Sequence, residues 1–306
     1  MPRTVSVINY KGGVGKTTLT ANIGAELANR GRTVLLIDLD PQSSLTFSFY
    51  TARQWEEELQ DERTILQWIG ALLSDGQPTP LADFVLTPTR VNELVAANGG
   101  RLDLIASHLG LIDVDQDLAA ELGGSRFQVT SPNFLRVHRM LADALADDAF
   151  GQYDVVLIDC PPNFGMATRA GIVASERVLV PAKPDYLSSL GINYLRGRLS
   201  DLVGDYNKVV LADSGTVPPI TPEIMGVVVT MVQYTGVRPI TVHRENIRAL
   251  AATELPVFRQ TMRQSSALFG QGGEGSLPVV LTPGINDTVL YELHQLTSEF
   301  YAKIRV

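Results

Sequence analysis

Lys11-Gly12-Gly13-Val14-Gly15-Lys16-Thr17-Thr18 is the run of this sequence whose residue types and spacing could do chemistry. Glycines let successive backbone N–H groups turn inward on phosphate oxygens, a lysine reaches the β and γ phosphates of a nucleotide, and a neighbouring hydroxyl suits Mg²⁺. Lys16 and Thr17 fill the last two roles, and a second lysine, Lys11, opens the loop. Asp38 and Asp40 close the apolar run Val34-Leu35-Leu36-Ile37. Carboxylates at the C-termini of strands in a parallel α/β sheet face the crevice where ligands bind.

Such a loop needs a strand before it and a helix after it. Thr4 to Ile8 is a β-branched run suited to a buried parallel strand, and Leu19, Ile23 and Leu27 give Thr17 to Asn29 the four-residue spacing of an amphipathic helix. The helix would then aim its free N–H groups and the positive end of its dipole at the phosphates. With 306 residues, 45% hydrophobic and 19% charged, the chain can bury a sizeable core. Alternating strand and helix patterns predict one α/β domain over 1–306, with no linker rich in Pro, Gly or Ser dividing it. The irregular stretch 53–124 holds Glu56-Glu57-Glu58, Pro78, Pro80 and Gly99-Gly100 and reads as an insertion between core strands. A lone cysteine, Cys160, excludes an internal disulfide and reads as an apolar filler at a strand end. No leader and no run of eighteen apolar residues is found, so a cytoplasmic protein is expected. His108, His138, His243 and His294 show no metal spacing.

The loop follows the variant pattern K-G-G-x-G-K-[ST], and with it the chain resembles the ParA/MinD family, whose P-loop is called the deviant Walker A box. Val34 to Gln42 resembles that family's D-x-D-P-Q segment, Val155 to Pro162 its Walker B strand, and Val178 to Gly191 its next strand and loop. Gly226 to Met231 resembles a further core strand, and Arg263 to Pro278 the loop that closes over adenine. The resemblance is to a ParA-type partition ATPase of the short form, without an N-terminal DNA-binding domain. It implies a mostly parallel twisted sheet flanked by helices on both faces, with ATP and Mg²⁺ as cofactors. Residues 11–18, Gly12, Gly13, Val14, Gly15 and Thr18 included, would line the phosphates, and Met231 and Pro278 the base. Thr17 and Asp159 would hold the metal with support from Asp38, and Asp40 would orient the hydrolytic water. Lys11 would reach the phosphates of a partner subunit, making ATP the glue of a homodimer. Two departures stand out: Arg169 replaces a family asparagine, and Phe258-Arg259-Gln260 replaces I-P-R.

Members of this family bind duplex DNA without sequence preference as ATP dimers and are stimulated by a ParB-like centromere-binding or adaptor protein. The net charge of −8 opposes DNA overall, yet Arg238, Arg244, Arg248, Arg259 and Arg263 face only Glu245 and Glu254 within their own segment. The expectation is therefore a nucleoid-associated switch that positions or segregates DNA. A MinD-like membrane switch is the alternative. It would use the stripe Val289, Leu290, Leu293, Leu296, Phe300 and Ile304, but few basic residues back that stripe, which favours a helix packed on its own domain without stable membrane association. A metal-cluster carrier would need paired cysteines that the chain lacks.

Overall fold

Six apolar, β-branched segments pair into one parallel sheet: β1 (Arg3–Val7), β2 (Thr33–Asp38), β3 (Arg101–Ile105), β4 (Val155–Asp159), β5 (Arg177–Ala182) and β6 (Glu223–Val229). Their order is β3-β2-β4-β1-β5-β6. The computed structural model describes residues 2–74, 79–122, 133–213, 217–269 and 277–305. Residues 75–78 and 123–124 of the expected insertion, and 270–276 of the expected adenine loop, lie outside the described residues. A small antiparallel hairpin, β7 (Tyr234–Thr235) and β8 (Arg238–Pro239), turns at Gly236.

The helices are α1 (Lys16–Asn29), α2 (Ala52–Gln54), α3 (Ile65–Leu73), α4 (Thr89–Val95), α5 (Leu111–Glu121), α6 (Phe134–Leu145), α7 (Met166–Val173), α8 (Tyr186–Ala212), α9 (Thr241–Ala251), α10 (Ser266–Phe269) and α11 (Asp287–Ile304). Strand side chains alternate between the faces, so each strand feeds two cores. Leu35, Ile37, Val156 and Ile158 pack with Val137 and Leu141 of α6, Ile172 of α7 and Leu195 of α8. Val34, Leu36, Val155 and Leu157 pack with Leu19, Ile23 and Leu27 of α1 and with Leu293, Leu296 and Phe300 of α11. Helices thus cover both faces, as the alternating sequence pattern predicts. All of the α11 stripe except the half-buried Leu290 is buried against its own domain, in agreement with the packed-helix expectation.

The stretch 53–124 corrects an expectation. It contains β3, a full member of the sheet whose register with β2 runs from Thr33↔Arg101 to Ile37↔Ile105. Ahead of β3 the stretch holds a π-helical turn at Trp55–Leu59, α3 and α4, and after it α5. Leu86 bridges Leu104 and Thr64 bridges Ala106, which gives the edge strand partners outside the sheet.

Candidate phosphate and metal site

Register brings the site together. Val7 lies opposite Asp159 on one side of β4, and Asp38 lies opposite Asp159 on the other. The loop after β1 therefore opens beside two strand-end carboxylates, at the carboxyl edge where such sheets bind ligands.

The loop's shape depends on its glycines. Gly15, just before α1, has φ 81° and Gly13 has φ 64°, a region a side chain adopts only at a cost. A Cβ on Gly15 would also lie 3.1 Å from the Met262 methyl and 3.4 Å from that of Met231. Met231 has φ 55°, uncommon for a residue with a side chain. The Thr230 hydroxyl donates to the Val14 carbonyl at 2.6 Å. Asn9 pins the other end, accepting from Lys11 N–H at 2.9 Å and donating to the Pro181 carbonyl at 2.6 Å. The sequence singled out Met231 but gave no role to Met262 or Thr230, because these act by packing and backbone contact and carry no motif of their own.

Lys16 is buried at the start of α1, and its charge acts on Asp159. The Thr17 hydroxyl donates to Asp159 Oδ2 at 2.6 Å. Asp159 is fully buried, and its Oδ1 has no hydrogen-bond partner among the described residues. Burial pushes this carboxyl up to about 7; the Thr17 hydrogen bond and the Lys16 charge act in the opposite direction. A hydroxyl oxygen beside an open, desolvated carboxylate oxygen is a donor set that fits a hard divalent cation such as Mg²⁺.

Asp38 uses both of its oxygens within the chain. Its Oδ2 accepts from the N–H and hydroxyl of Thr46, both at 2.8 Å, and its Oδ1 accepts from Asp40 N–H at 3.1 Å. Asp38 therefore anchors the loop that carries Asp40. Burial, and then the charge of Asp159, raises its pKa well above the carboxylate range. Asp40 accepts from Gln42 N–H at 3.0 Å, and its backbone carbonyl accepts from the Ser107 hydroxyl at 2.6 Å. Cys160 is fully buried, and burial pushes its thiol up, as suits a filler.

Lys11 lies at the rim, where its Nζ pairs with Asp185 Oδ2 at 2.6 Å. The other oxygen of Asp185 caps α8 by accepting from Ser188 N–H at 2.7 Å. On the following turns Tyr186, Leu187, Leu190 and Tyr194 form an apolar stripe, each between 50% and 71% exposed. The stripe was not noticed in the sequence, where the segment through Gly191 reads as a strand and loop; in the structure residues from Tyr186 on belong to α8.

Pro278 precedes a 3-10 turn, Val279–Leu281, that Asn22 of α1 holds through Val280 N–H. Of the five arginines, Arg244 and Arg248 share α9, Arg238 lies on β8, and Arg238, Arg248 and Arg259 are exposed. Arg263 differs from the expected open patch. It makes a two-pronged pair with Glu292, at 2.8 and 2.6 Å, and its guanidinium stands 5.0 Å from the Tyr234 ring centre.

The AAA domain model (AAA_31) matches residues 2–210. The chain is 31% identical over 204 residues to the cell division protein PomZ of Myxococcus xanthus, covering 66% of this chain and 53% of that protein. The chain spans about half the length of the curated relatives it matches. A variant of Cyanothece McdA, solved in complex with ATP, shares the fold with a TM-score of 0.69 at 21% identity, over 98% of this chain and 96% of that one. The cobyrinic acid a,c-diamide synthase of Mycobacterium smegmatis, solved with an ATP analogue and magnesium, gives 0.65 at 25% identity over 97% and 93%. With its lysine-opened phosphate loop set beside the Thr17–Asp159 pair, the chain belongs to this AAA-domain family, among the ParA- and MinD-type P-loop ATPases.

Proposed function

We infer that this chain is an ATP-dependent dimerising switch that hydrolyses ATP to ADP and phosphate and positions or segregates DNA. One observation carries the reading: a phosphate and metal set, Lys16, Thr17 and Asp159, opens beside a second lysine and an exposed apolar stripe. Lys16 and the loop N–H groups would hold the phosphates, and Thr17 and Asp159 would hold Mg²⁺, which when bound would neutralise charge on the phosphate oxygens. Asp40, on a loop fixed by Asp38 and Ser107, orients the attacking water. Lys11 leaves Asp185 to reach the phosphates bound by a second copy, and the α8 stripe meets its counterpart across the two-fold axis. Nucleotide binding and assembly are then one linked equilibrium.

DNA is the track in this reading, bound without sequence preference by Arg238, Arg244, Arg248 and Arg259 of both copies, with a ParB-like adaptor as the stimulating partner. The membrane alternative is disfavoured because the apolar residues of α11 are spent on the core. Sedimentation of the chain with Mg²⁺ and a non-hydrolysable ATP analogue tests the reading. A dimer with the analogue and a monomer with ADP are expected; a monomer in both refutes it.

A further inference from the structure

No step above uses Arg169 of α7. In the structure its guanidinium lies 5.8 Å from the ring centre of Phe164, and its Nε donates to the Phe164 carbonyl at 3.2 Å. Arg198 of α8 brings a second guanidinium to 5.5 Å from the same ring. Tyr10, the residue before Lys11, stacks on Phe164 with ring centres 5.9 Å apart and planes at 21°, and meets Tyr194 at 5.1 Å. Three parts of the chain therefore converge on the one side chain of Phe164, which the loop after Asp159 carries: the start of the phosphate loop, α7 and α8.

Cation–π and offset-stacked contacts are directional, so several on one ring fix its orientation as well as its position. Arginine suits the task because its planar cation can lie over a ring and donate sideways at once, which a lysine ammonium cannot do. Within this loop Gly165 N–H donates to Asn163 Oδ1 at 2.9 Å, and just beyond it Ala167 N–H donates to Asp115 Oδ1 of α5 at 3.1 Å, which holds the backbone at Gly165 but does not touch the Phe164 ring. Tyr194 belongs to the exposed stripe of α8, so the cluster reaches from the metal carboxylate's loop to the surface beside Lys11.

We propose that Arg169 is a positioning residue: together with Arg198 it fixes Phe164, and through that ring it holds the loop after Asp159, Tyr10 and the Tyr194 face of α8 as one unit. Its mechanical consequence stands on these contacts alone; its consequence for assembly and turnover rests on the ATP-switch reading.

Hydrogen exchange on the nucleotide-free chain separates the two. Exchange at the Asn163, Phe164 and Gly165 amides is compared in the wild type, Arg169→Lys, Phe164→Leu and Phe164→Tyr, alongside thermal melting. Arg169→Lys keeps the charge but not the plane, and Phe164→Tyr keeps the ring. Exchange should quicken by about tenfold in Arg169→Lys and Phe164→Leu and stay within about twofold in Phe164→Tyr. In ATP turnover, kcat of the first two should fall by about fivefold at unchanged KM, with Phe164→Tyr near wild type. Wild-type exchange in Arg169→Lys, or Phe164→Tyr as fast as Phe164→Leu, overturns the proposal. Should Phe164→Leu fail to fold, Arg169→Lys and Phe164→Tyr still decide it. A wild type that neither dimerises nor hydrolyses ATP would sink the switch reading instead, with the exchange result standing on its own.

Discussion

Asp185→Asn is the perturbation that isolates the resting partner of Lys11. Asparagine caps a helix about as well as aspartate, so the bond to Ser188 N–H is kept and only the charge pair is lost. At 2.6 Å and an effective dielectric of 20, the gross attraction between Lys11 and Asp185 is about 6 kcal/mol. Both side chains are 38–39% exposed, however, and pairs that face water retain about 0.2–1 kcal/mol after desolvation, side-chain ordering and screening. Taking about 0.5 kcal/mol per subunit, a dimer that must break two such pairs gains about 1 kcal/mol when they are absent, or about fivefold in dimer Kd. Sedimentation equilibrium with Mg²⁺ and a non-hydrolysable analogue measures it, and the gain should shrink in high salt. A dimer unchanged or weakened in Asp185→Asn would mean that Lys11 does not exchange partners. Asp185→Ala serves as the contrast, since losing the cap as well should lower stability by about 1 kcal/mol. The pH sign is also fixed. Burial raises the Asp185 pKa, but the hydrogen bonds from Lys11 and Ser188 together outweigh it, and the net shift is downward. The pair's contribution is thus fully present above the ordinary aspartate range and is lost as pH falls through the lower, folded value.

Lys16→Ala should weaken nucleotide binding by at least about tenfold, because it removes a charged contact to the phosphates; a fluorescent ATP analogue reports it. Asp40→Ala should leave analogue-driven dimerisation intact while phosphate release falls by about 10²–10⁴, and normal turnover would remove Asp40 from the mechanism. Gly15→Ala should cost about 1–2 kcal/mol from its left-handed backbone alone, with the Met262 methyl adding to it, seen as a lower urea midpoint. Changing Arg244 and Arg248 together to Glu should abolish DNA retention of the ATP dimer while sparing dimerisation. Wild-type binding should fall with salt at a log–log slope of roughly −0.9 per phosphate neutralised, and no wild-type binding at low salt would refute DNA as the track.

The parts of the fold legible in the sequence are those whose strands read as uninterrupted apolar runs. Val34 to Ile37 and Val155 to Ile158 are buried on both faces, so burial alone dictates their composition. The edge strand β3 escaped notice because Asp103 interrupts Arg101-Leu102-Asp103-Leu104-Ile105. That carboxylate is fully buried, yet the Thr87 and Tyr153 hydroxyls each donate to it at 2.7 Å and Arg101 pairs with it at 2.8 Å. Its partners come from residues 16 and 50 positions away and from its own strand, and long-range satisfaction of that kind leaves no trace in local pattern. The phosphate loop was legible for the opposite reason, since consecutive backbone groups do the binding. Lys11 was legible as an unusual residue, whereas Asp185 needed the fold to bring it across 174 positions.

Asp38 and Asp159 show how a fold assigns different work to equivalent residues. Both end apolar strands, both are fully buried, and the sheet sets them side by side in register. Two carboxylates placed so cannot both be charged without compensation, since burial raises both pKa values, helped by the charge of Asp159 at Asp38 and by that of Asp40 at Asp159. Asp38 is compensated within the chain by three donors, the N–H and hydroxyl of Thr46 and the N–H of Asp40, and is thereby committed to shaping the loop. Asp159 receives the Thr17 hydroxyl on one oxygen and the field of Lys16, and its second oxygen is buried with no hydrogen-bond partner among the described residues. An orphaned acceptor of this kind costs about 1–3 kcal/mol. Mg²⁺ bound with a nucleotide on the phosphate loop would remove that penalty, so the unsatisfied oxygen of Asp159 favours the loaded site over the empty one.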